Sequence, residues 1–472
     1  MLYRKIHRIL NAIIAICLLG FVVIFLKGPS SDWKSESPTD EPKKSATAGS
    51  TTLWRERKTK NGSRVESSYP IYDNSDGGLT AWNFKGYSDS VISGKDVVKS
   101  VTFLNDNFNI LNIDKFGPVE NVRYLLVIQV HNRPIYLKYL IESLRQTKDI
   151  EKTLLVFSHD VNVEQINEMV RNITFARVYQ IFYPFNLQLF AKVFPGNNPL
   201  DCPEKIGKDS AKTSKCRNWE WPDKYGNYRN GKLTQIKHHW WWKMNYVFDG
   251  IVKRFNLKNS WVLLLEEDHF VTPDALHVLD IIVGNKKKYC DRCEIISLGF
   301  YLKSTNKFGN DIAKLGVHPW YSSKHNMGMA LQQETWLKIK NCSNMFCDWD
   351  DYNWDWSLMQ VSAKCLPQRF RVIFAKSPRV IHIGDCGVHT HRCDAHNAYE
   401  ATTKLLESHR GALFPASLAV TDISRRSLKP SKENGGWGDI RDRELCLLNT
   451  SPLLDKSNAP VLAELFNSTI KL

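Results

Sequence analysis

Short apolar runs alternate with amphipathic stretches along the middle of this chain. The runs cover residues 124–130, 153–157, 177–182, 261–265 and 295–298. Continuous apolar runs of this length are typical of strands buried on both faces of a sheet. Their alternation with helical patterns predicts an α/β fold, in which helices cover both faces of a parallel sheet.

Three stretches between these runs carry apolar residues at helical spacing. They predict a helix that opens at Arg133-Pro134, one over 163–170 and a long one over 233–255. Beyond Tyr301 the sequence is aromatic and rich in cysteine, and it predicts a region dominated by loops.

The N-terminal residues predict a membrane anchor. Three basic residues within 1–8 precede an apolar run at 9–26, which is long enough to span a bilayer core. A cleaved signal peptide is the alternative, but the run leads into Lys27-Gly28-Pro29 without a small-residue cleavage site. Because the basic side stays cytoplasmic, we expect a cytoplasmic tail at 1–8, an anchor at 9–26, a flexible luminal stem at 27–95 and a luminal domain at 96–472.

Composition agrees with a luminal location. The stem is too polar to form a core. Ten of the eleven cysteines follow the anchor, and an even number there indicates disulfides in an oxidising compartment. A zinc site at Cys290 and Cys293 is the alternative, although no second Cys/His pair matches it. Five glycosylation sequons fit the same location: Asn61, Asn172, Asn341, Asn449 and Asn467.

The formal net charge is +15, from 64 basic and 49 acidic residues. A strongly basic chain suggests nucleic acid as a partner. A luminal topology argues against nucleic acid, and the positive field would instead attract anionic nucleotide sugars.

Three acids end the central apolar run: Glu266, Glu267 and Asp268. The carboxyl ends of strands in α/β sheets are where ligands bind. Carboxylates there suit a hard divalent cation, and Mn²⁺ also accepts imidazole. The alternative is an acidic strand end that turns into solvent.

Polar residues also follow two neighbouring strands and occupy the long helix. Residues 129–133 lie at a strand-to-helix junction, which favours anions, and Asp160 ends the next strand. A helix-capping loop and a turn-forming Asp explain these two segments equally well. His238 and His239 are adjacent, so they point about 100° apart and suit nucleotide contact better than joint metal binding.

Two C-terminal segments carry further candidates. Residues 350–356 interleave aromatics with acids, as sugar sites do, although buried Trp residues in an acidic loop are the alternative. His382 stands on an apolar run at 381–383, where a lone His is more often a core residue. His382 becomes a metal ligand only if it meets Asp268 at a shared cation.

Taken together, these segments closely resemble the N-acetylglucosaminyltransferase II family, from about residue 121 to residue 448. The stem shows no such resemblance. The segments that carry it are 129–133, 157–160, 237–243, 265–269, 325–328, 350–356, 384–387 and 434–441.

The resemblance implies a GT-A-type glycosyltransferase with a Rossmann-like nucleotide-binding sheet. It implies inverting transfer of N-acetylglucosamine from UDP-N-acetylglucosamine to O2 of the α1,6-arm mannose of an N-glycan, with Mn²⁺ as cofactor. The implied location is the Golgi membrane, as a single-pass type II protein. The implied partners are the donor, the glycoprotein acceptor and the membrane, but no nucleic acid, and a homodimer is compatible with it.

The resemblance also implies roles for individual residues, matched motif by motif. Asp355 would be the general base, Asp268 and His382 would hold the metal, and Glu266, Trp354 and Trp356 would contact the acceptor. The nucleotide would contact Gln129, Val130, His131, Asn132, Arg133, Asp160, Gln235, Ile236, Lys237, His238 and His239. The implied disulfides are Cys202–Cys216, Cys290–Cys293, Cys342–Cys365, Cys347–Cys446 and Cys386–Cys393.

One departure and two alternatives accompany this expectation. Residues 301–307 lack an Arg that the family pattern places there as a donor contact, so this donor contact stays unassigned. A related transferase with the same donor and a different mannose acceptor is one alternative. A catalytically silent Golgi lectin or scaffold is the other, and intact Asp268, His382 and Asp355 speak against it.

Overall fold

A mixed sheet of eleven strands forms the centre of the fold. The computed structural model describes residues 91–120, 122–301, 305–384, 394–456 and 458–471. All of them belong to one compact unit, Glu66–Leu472. The strands are β1 Val91–Ser93, β2 Tyr124–Val130, β3 Leu154–His159, β4 Arg177–Phe182, β5 Trp261–Glu266, β6 His269–Val271, β7 Ile295–Gly299, β8 Lys314–Pro319, β9 Met327–Leu331, β10 Arg371–Ala375, β11 Val380–His382, β12 Ala419–Ile423 and β13 Thr469–Lys471.

The predicted parallel strands are confirmed in one half of the sheet. Strands β5, β2, β3 and β4 lie side by side and parallel, in that order. Alternate residues of each strand face opposite sides, so Leu125 and Val127 join one large buried cluster while Leu126 and Ile128 join another. This double burial explains why these strands are continuously apolar.

The expectation of a loop-rich region beyond Tyr301 is wrong, and the parallel arrangement of the first strands does not extend to the whole sheet. Strand β9 lies antiparallel between β5 and β7, and β8, β10, β11 and β12 extend the sheet beyond them. These strands have three to six residues, and helices lie between most of them. Such short apolar runs give little periodic signal against their polar surroundings.

Helices pack on the sheet, and several match the sequence prediction within a few residues. The predicted helix over 233–255 is Gly231–Asn245, continued by a π-helical stretch, Tyr246–Val252. The helices are α1 Gly94–Asp106, α2 Ile113–Phe116, α3 Pro134–Gln146, α4 Glu164–Arg171, α5 Lys208–Ser214, α6 Gly231–Asn245, α7 Ala275–Gly284, α8 Lys286–Cys290, α9 Phe308–Asp311, α10 Ser322–His325, α11 Gln333–Lys340, α12 Ser343–Asp348, α13 Trp354–Gln360, α14 Ala395–Ser408, α15 Ile440–Asn449 and α16 Ala463–Asn467.

The N-terminal end of the described chain is tied to its C-terminal end. Strand β1 pairs antiparallel with β13, and α1 begins at Gly94. Residues 91–95, which the sequence prediction assigned to the stem, therefore belong to a strand and the start of a helix. Within the described ranges no helix is long and apolar enough to cross a membrane. The predicted tail and anchor at 1–26 lie outside those ranges, as does most of the stem.

Four of the five implied disulfides are present. They are Cys202–Cys216, Cys290–Cys293, Cys342–Cys365 and Cys347–Cys446. The fifth, Cys386–Cys393, falls outside the described residues and stays a prediction. The bridge at Cys290 and Cys293 replaces the zinc alternative, because sulfurs joined to each other are not available as thiolates.

Removing Cys347–Cys446 should destabilise the protein far more than removing Cys290–Cys293. The first bridge joins α12 to α15 across 99 residues, and the second spans three. Loop-closure entropy gives a loss of about 4–5 kcal/mol in the free energy of unfolding for the long loop and about 2 kcal/mol for the short one. Denaturant unfolding of the two Cys-to-Ala double variants measures the difference, and equal losses would contradict the prediction.

Candidate active site

Three polar residues from adjacent strands lie side by side at the carboxyl edge of the parallel strands. Gln129 pairs in register with both Ser158 and Glu266. Helix α6 covers this row: Lys243 Nζ donates to Gln129 Oε1 at 2.7 Å, and His239 Nε2 lies 2.8 Å from Ser158 Oγ. The row brings β2, β3 and β5 to one site, as expected for the ligand-binding edge of an α/β sheet.

Asp160 is the centre of a group of predicted nucleotide contacts. Its carboxylate lies 2.6 Å from His131 Nδ1, 3.1 Å from Gln235 Nε2 and 3.6 Å from His239 Nδ1. Burial alone would raise the pKa of Asp160, but the charge of His131 and its hydrogen bond, together with the nearby His239, hold the pKa below its usual range. These four residues come from three distant segments and form one cluster.

The interaction of His131 with Asp160 should stabilise the fold only within a limited pH range. The charge of Asp160 outweighs burial and raises the pKa of His131 to about 9, from about 6.5 in an unfolded chain. The stabilisation from His131 is therefore complete below about pH 6.5 and is lost as pH rises through about 9. The stabilisation from Asp160 is present above about pH 4 and is lost on acidification below that pH.

An NMR titration of the His131 imidazole tests this window. In the native protein we expect a midpoint near pH 9, and in Asp160→Asn a return toward about 6.5. A titration midpoint that stays the same in both proteins would show that Asp160 does not hold the proton on His131.

The remaining residues of the 129–133 segment take different positions. The Val130 side chain belongs to the core, and its carbonyl accepts from the Asp160 amide at 3.3 Å. Asn132 is exposed. Arg133 reaches the acids after β5: its Nε donates to Glu267 Oε1 at 2.6 Å, and its Nη1 donates to Asp268 Oδ2 at 2.8 Å. Arg133 therefore belongs to the acidic group in this structure.

Three residues of α6 that the resemblance implied as nucleotide contacts have protein partners instead. Ile236 packs against the core, Lys237 donates to the backbone carbonyls of Trp349 and Asp351, and His238 Nε2 lies 2.9 Å from Asp442 Oδ1. Successive helical residues turn by about 100°, so a helix that points Gln235 and His239 into a pocket points the residues between them elsewhere. His238 and His239 diverge as expected.

The acids after β5 form a group that could hold a cation. Ligand atoms of Glu266, Asp268 and His269 all lie within 4.8 Å of one another. His382 Nε2, from β11, lies 3.3 Å from Asp268 Oδ2. Gly384 is needed beside them, because a Cβ there would come within 2.1 Å of that same oxygen. The structure thus brings together the two residues implied as metal ligands.

The two oxygens of Asp268 differ in their partners. Oδ2 has Arg133 and His382, whereas Oδ1 is buried without a hydrogen-bond partner among the described residues. An unpaired buried carboxylate oxygen is costly, and a bound cation would satisfy it. Burial raises the pKa of nearby Glu266 to about 7, and the charge of Asp268 acts in the same direction. The donor set of carboxylate and imidazole fits Mn²⁺.

Asp355, the implied base, lies in the first turn of α13. Its Oδ2 accepts from Ser322 Oγ at 2.6 Å and from Asn326 Nδ2 at 3.0 Å. Burial raises the pKa of Asp355, although both hydrogen bonds act against that shift. The carboxylate is therefore oriented by α10 and the turn after it, and it holds a proton more readily than an exposed acid.

Tyr301 lies beside the cation group. Its ring lies 5.3 Å from that of His382, edge to face. Burial raises the pKa of the phenol to about 12, and negative charge from Glu266, Asp355 and Asp268 adds to the shift. The phenol therefore stays protonated at neutral pH. A cavity of about 910 Å³ borders Tyr301 and α10.

Trp354, an implied acceptor contact, packs in the core. Its indole stacks on Trp240 at 4.4 Å, and the residue is only 7% exposed. Protein therefore covers the stacked face of the ring. Trp356 is partly buried against the same core cluster, and Glu266 lies in the cation group with Asp268 and His269, so these acceptor contacts stay predictions.

Glu267, one of the three predicted acids, accepts from Arg133 and from the His131 amide. Four further residues contact the site without having been assigned a role from the sequence: Lys243, Ser322, Asn326 and Tyr301. Lys243 and Asn326 lie inside motifs that carry the family resemblance, so their position in those motifs was a usable signal. Ser322 and Tyr301 lie in segments without a pattern of their own.

Comparison with known proteins identifies the family. The family model described as N-acetylglucosaminyltransferase II (MGAT2) matches residues 98–446. An α-1,6-mannosyl-glycoprotein 2-β-N-acetylglucosaminyltransferase from Sus scrofa is 41% identical over 345 residues, which are 73% of this chain and 77% of that protein. The protein of the same name from Arabidopsis thaliana is 32% identical over 350 residues, covering 72% and 78%.

Similarity to solved structures is much weaker. Staphylococcus aureus TarS covers 71% of this chain and 73% of its own, with 10% identity and a TM-score of 0.28. At that score the overlap carries no inference about ligand or reaction. The family match and the relatives suffice without it, and this chain belongs to the N-acetylglucosaminyltransferase II family.

Proposed function

We propose that this chain is an inverting α-1,6-mannosyl-glycoprotein 2-β-N-acetylglucosaminyltransferase with a GT-A-type fold. It transfers N-acetylglucosamine from UDP-N-acetylglucosamine to O2 of the α1,6-arm mannose of an N-glycan. The relatives that bear this name support the reaction. The observation that carries the proposal is the convergence of Asp268 and His382, the implied metal ligands, 3.3 Å apart at the carboxyl edge of the sheet.

The reaction is a single displacement at C1 of the donor sugar, with Asp355 as the base. Asp355 accepts the proton of the mannose O2 hydroxyl as that oxygen attacks C1 of the donor sugar. The bond from C1 to the diphosphate oxygen breaks at the same time, and UDP leaves on the opposite face. One displacement inverts the anomeric centre, so an α-linked donor yields a β1,2 linkage and no enzyme nucleophile is needed.

Other residues bind and orient the donor. Asp160, with His131, Gln235 and His239, offers hydrogen-bonding groups for the nucleoside. Asp268 and His382 would hold Mn²⁺, which when bound offsets the negative charge that the departing diphosphate gains. Arg133, which now pairs with Asp268 and Glu267, is close enough to exchange these acids for phosphate.

Product analysis tests the function. The full-length protein is incubated with UDP-N-acetylglucosamine, Mn²⁺ and a hybrid N-glycan that carries N-acetylglucosamine on its α1,3 arm only. We expect one added sugar, and NMR should show a β1,2 linkage on the α1,6-arm mannose. An O-mannosyl peptide serves as the second acceptor. Exclusive use of that peptide would indicate a related transferase, and absence of turnover on both would support a silent lectin.

The location and assembly of the protein remain part of the proposal. The Golgi membrane and the type II topology rest on residues 1–26, outside the described ranges, and on the disulfides that an oxidising lumen favours. Protease protection of the luminal domain in sealed Golgi vesicles tests the topology. The homodimer stays a prediction that sedimentation would test.

A further inference from the structure

Helix α6 lies between the nucleoside pocket and the segment that leads to the base. Gln235 and His239 are four residues apart and both contact Asp160. Lys237 lies between them in sequence, on the opposite side of the helix. The helix therefore has one face in the donor pocket and another against residues 349–351.

Lys237 is joined to that segment by several contacts at once. The residue is 0% exposed, and its Nζ donates to the carbonyls of Trp349 and Asp351, both at 3.0 Å. The ammonium also lies 4.1 Å from the centre of the Trp437 ring. A buried amine with two carbonyl acceptors and an aromatic face holds those carbonyls in place, because the alternative is an unpaired buried donor.

The held segment leads directly into the helix that carries the base. Asp351 Oδ1 accepts from the amide of Asn353, the residue that precedes α13, at 2.9 Å. Trp354, the first residue of α13, stacks on Trp240 of α6 at 4.4 Å. Asp355 follows immediately. The start of α13 is thus fixed to α6 on both sides, by Lys237 through Asp351 and by Trp240 through Trp354.

We propose that Lys237 is a positioning residue for the base. It holds the start of the helix that carries Asp355 against α6, the helix that also contacts Asp160. The inference rests on the proposed function, because it assigns Lys237 a part in that reaction. Lys237 would act through the carbonyls of Trp349 and Asp351, which it holds, and not on the reacting groups directly. Its loss would let the start of α13 shift, and a displacement of about 1 Å at a reacting group costs about 100-fold in rate.

The protonation state of Lys237 does not change this geometry. Burial, partly offset by the charges of Asp351 and Asp350, lowers the pKa of Lys237 to about 7. A neutral amine still has two N–H donors, and two carbonyls accept from it. The two hydrogen bonds to the carbonyls of Trp349 and Asp351 therefore persist on both sides of neutral pH.

Lys237→Met tests the inference in the full-length protein, with Lys232→Met as the matched control. Lys232 is an exposed residue of the same helix. We expect kcat of Lys237→Met to fall by about 10- to 100-fold while the Kd for UDP with Mn²⁺ stays within about twofold. Lys232→Met should change neither, and Lys237→Arg should recover part of the lost kcat because it restores a buried cationic donor.

The outcomes separate this inference from the proposed function. If the native protein does not transfer the sugar, the proposed function fails. If the native protein is active and folded Lys237→Met has the same kcat, Lys237 does not position the base. An equal loss of UDP affinity and kcat would make Lys237 a general core residue and would overturn the inference as well.

A milder variant covers the case in which Lys237→Met does not fold. Lys237→Gln keeps N–H donors at the same position on a shorter, uncharged side chain. We expect kcat of this variant to fall by at least about fivefold with UDP affinity preserved, a smaller displacement than in Lys237→Met. Native kcat in folded Lys237→Gln would overturn the inference.

Discussion

Asp355→Asn should lower kcat by about 1,000-fold while UDP binding with Mn²⁺ stays within about twofold. Asn keeps the shape of the side chain and can still meet Ser322 Oγ, which lies 2.6 Å from the native carboxylate. It cannot accept the proton of the attacking hydroxyl, so only the chemical step suffers. Single-turnover transfer and calorimetric UDP titration measure the two quantities separately.

Asp348→Asn is the control for this prediction. Asp348 is exposed, ends α12 and lies seven residues before the base, so its replacement should leave kcat unchanged. Because burial raises the pKa of Asp355, native kcat should decline on acidification at a higher pH than about 4, where an exposed Asp titrates. Turnover of Asp355→Asn within tenfold of the native value would remove Asp355 from the role of base.

Asp268→Ala should weaken Mn²⁺-dependent UDP binding by about 100-fold or more. The change removes Oδ1, the unpaired oxygen that a cation would satisfy, and Oδ2, the partner of His382. The same change frees Arg133 from one of its two carboxylates. Mn²⁺ titration followed by electron paramagnetic resonance reports the loss without any turnover.

His382→Ala and Asp209→Asn serve as comparisons for this prediction. His382→Ala should weaken Mn²⁺-dependent UDP binding less than Asp268→Ala does. The side chain of His382 is 23% exposed and that of Asp268 is 4% exposed, so water can replace the imidazole. Asp209 is exposed on α5 and should have no effect. A Mn²⁺ titration curve that is the same in native protein and Asp268→Ala would contradict the metal assignment.

Several site residues could be predicted from the sequence because they directly follow apolar runs, and the end of such a run is a local feature of the sequence. The apolar runs that became β2, β3 and β5 each lead into a polar segment, and parallel pairing carries those segments to one edge. Asp160 and Asp268 could therefore be assigned to the same edge of the sheet before any distance was known. The family resemblance added Asp355 and His382, which no local pattern connects to that edge.

Other features depended on contacts between distant segments. Nothing in the sequence near residue 237 indicates that Lys237 turns toward Trp349, while Gln235 and His239 turn toward Asp160. Trp354 is as aromatic as a sugar-binding residue, and only its stacking on Trp240 assigns it to the core. The neighbours of a side chain decide between two roles that its chemistry allows equally.

The sequence by itself determined the strand-and-helix order of the middle of the chain, the acidic strand end and the family, because periodicity and motifs are properties of consecutive residues. Only the tertiary structure decided the order of the eleven strands, the antiparallel position of β9 and the meeting of Asp268 with His382 of β11. Those outcomes follow from packing between residues far apart in the chain, such as Tyr124 and Trp261, and such packing leaves no periodic trace in either partner.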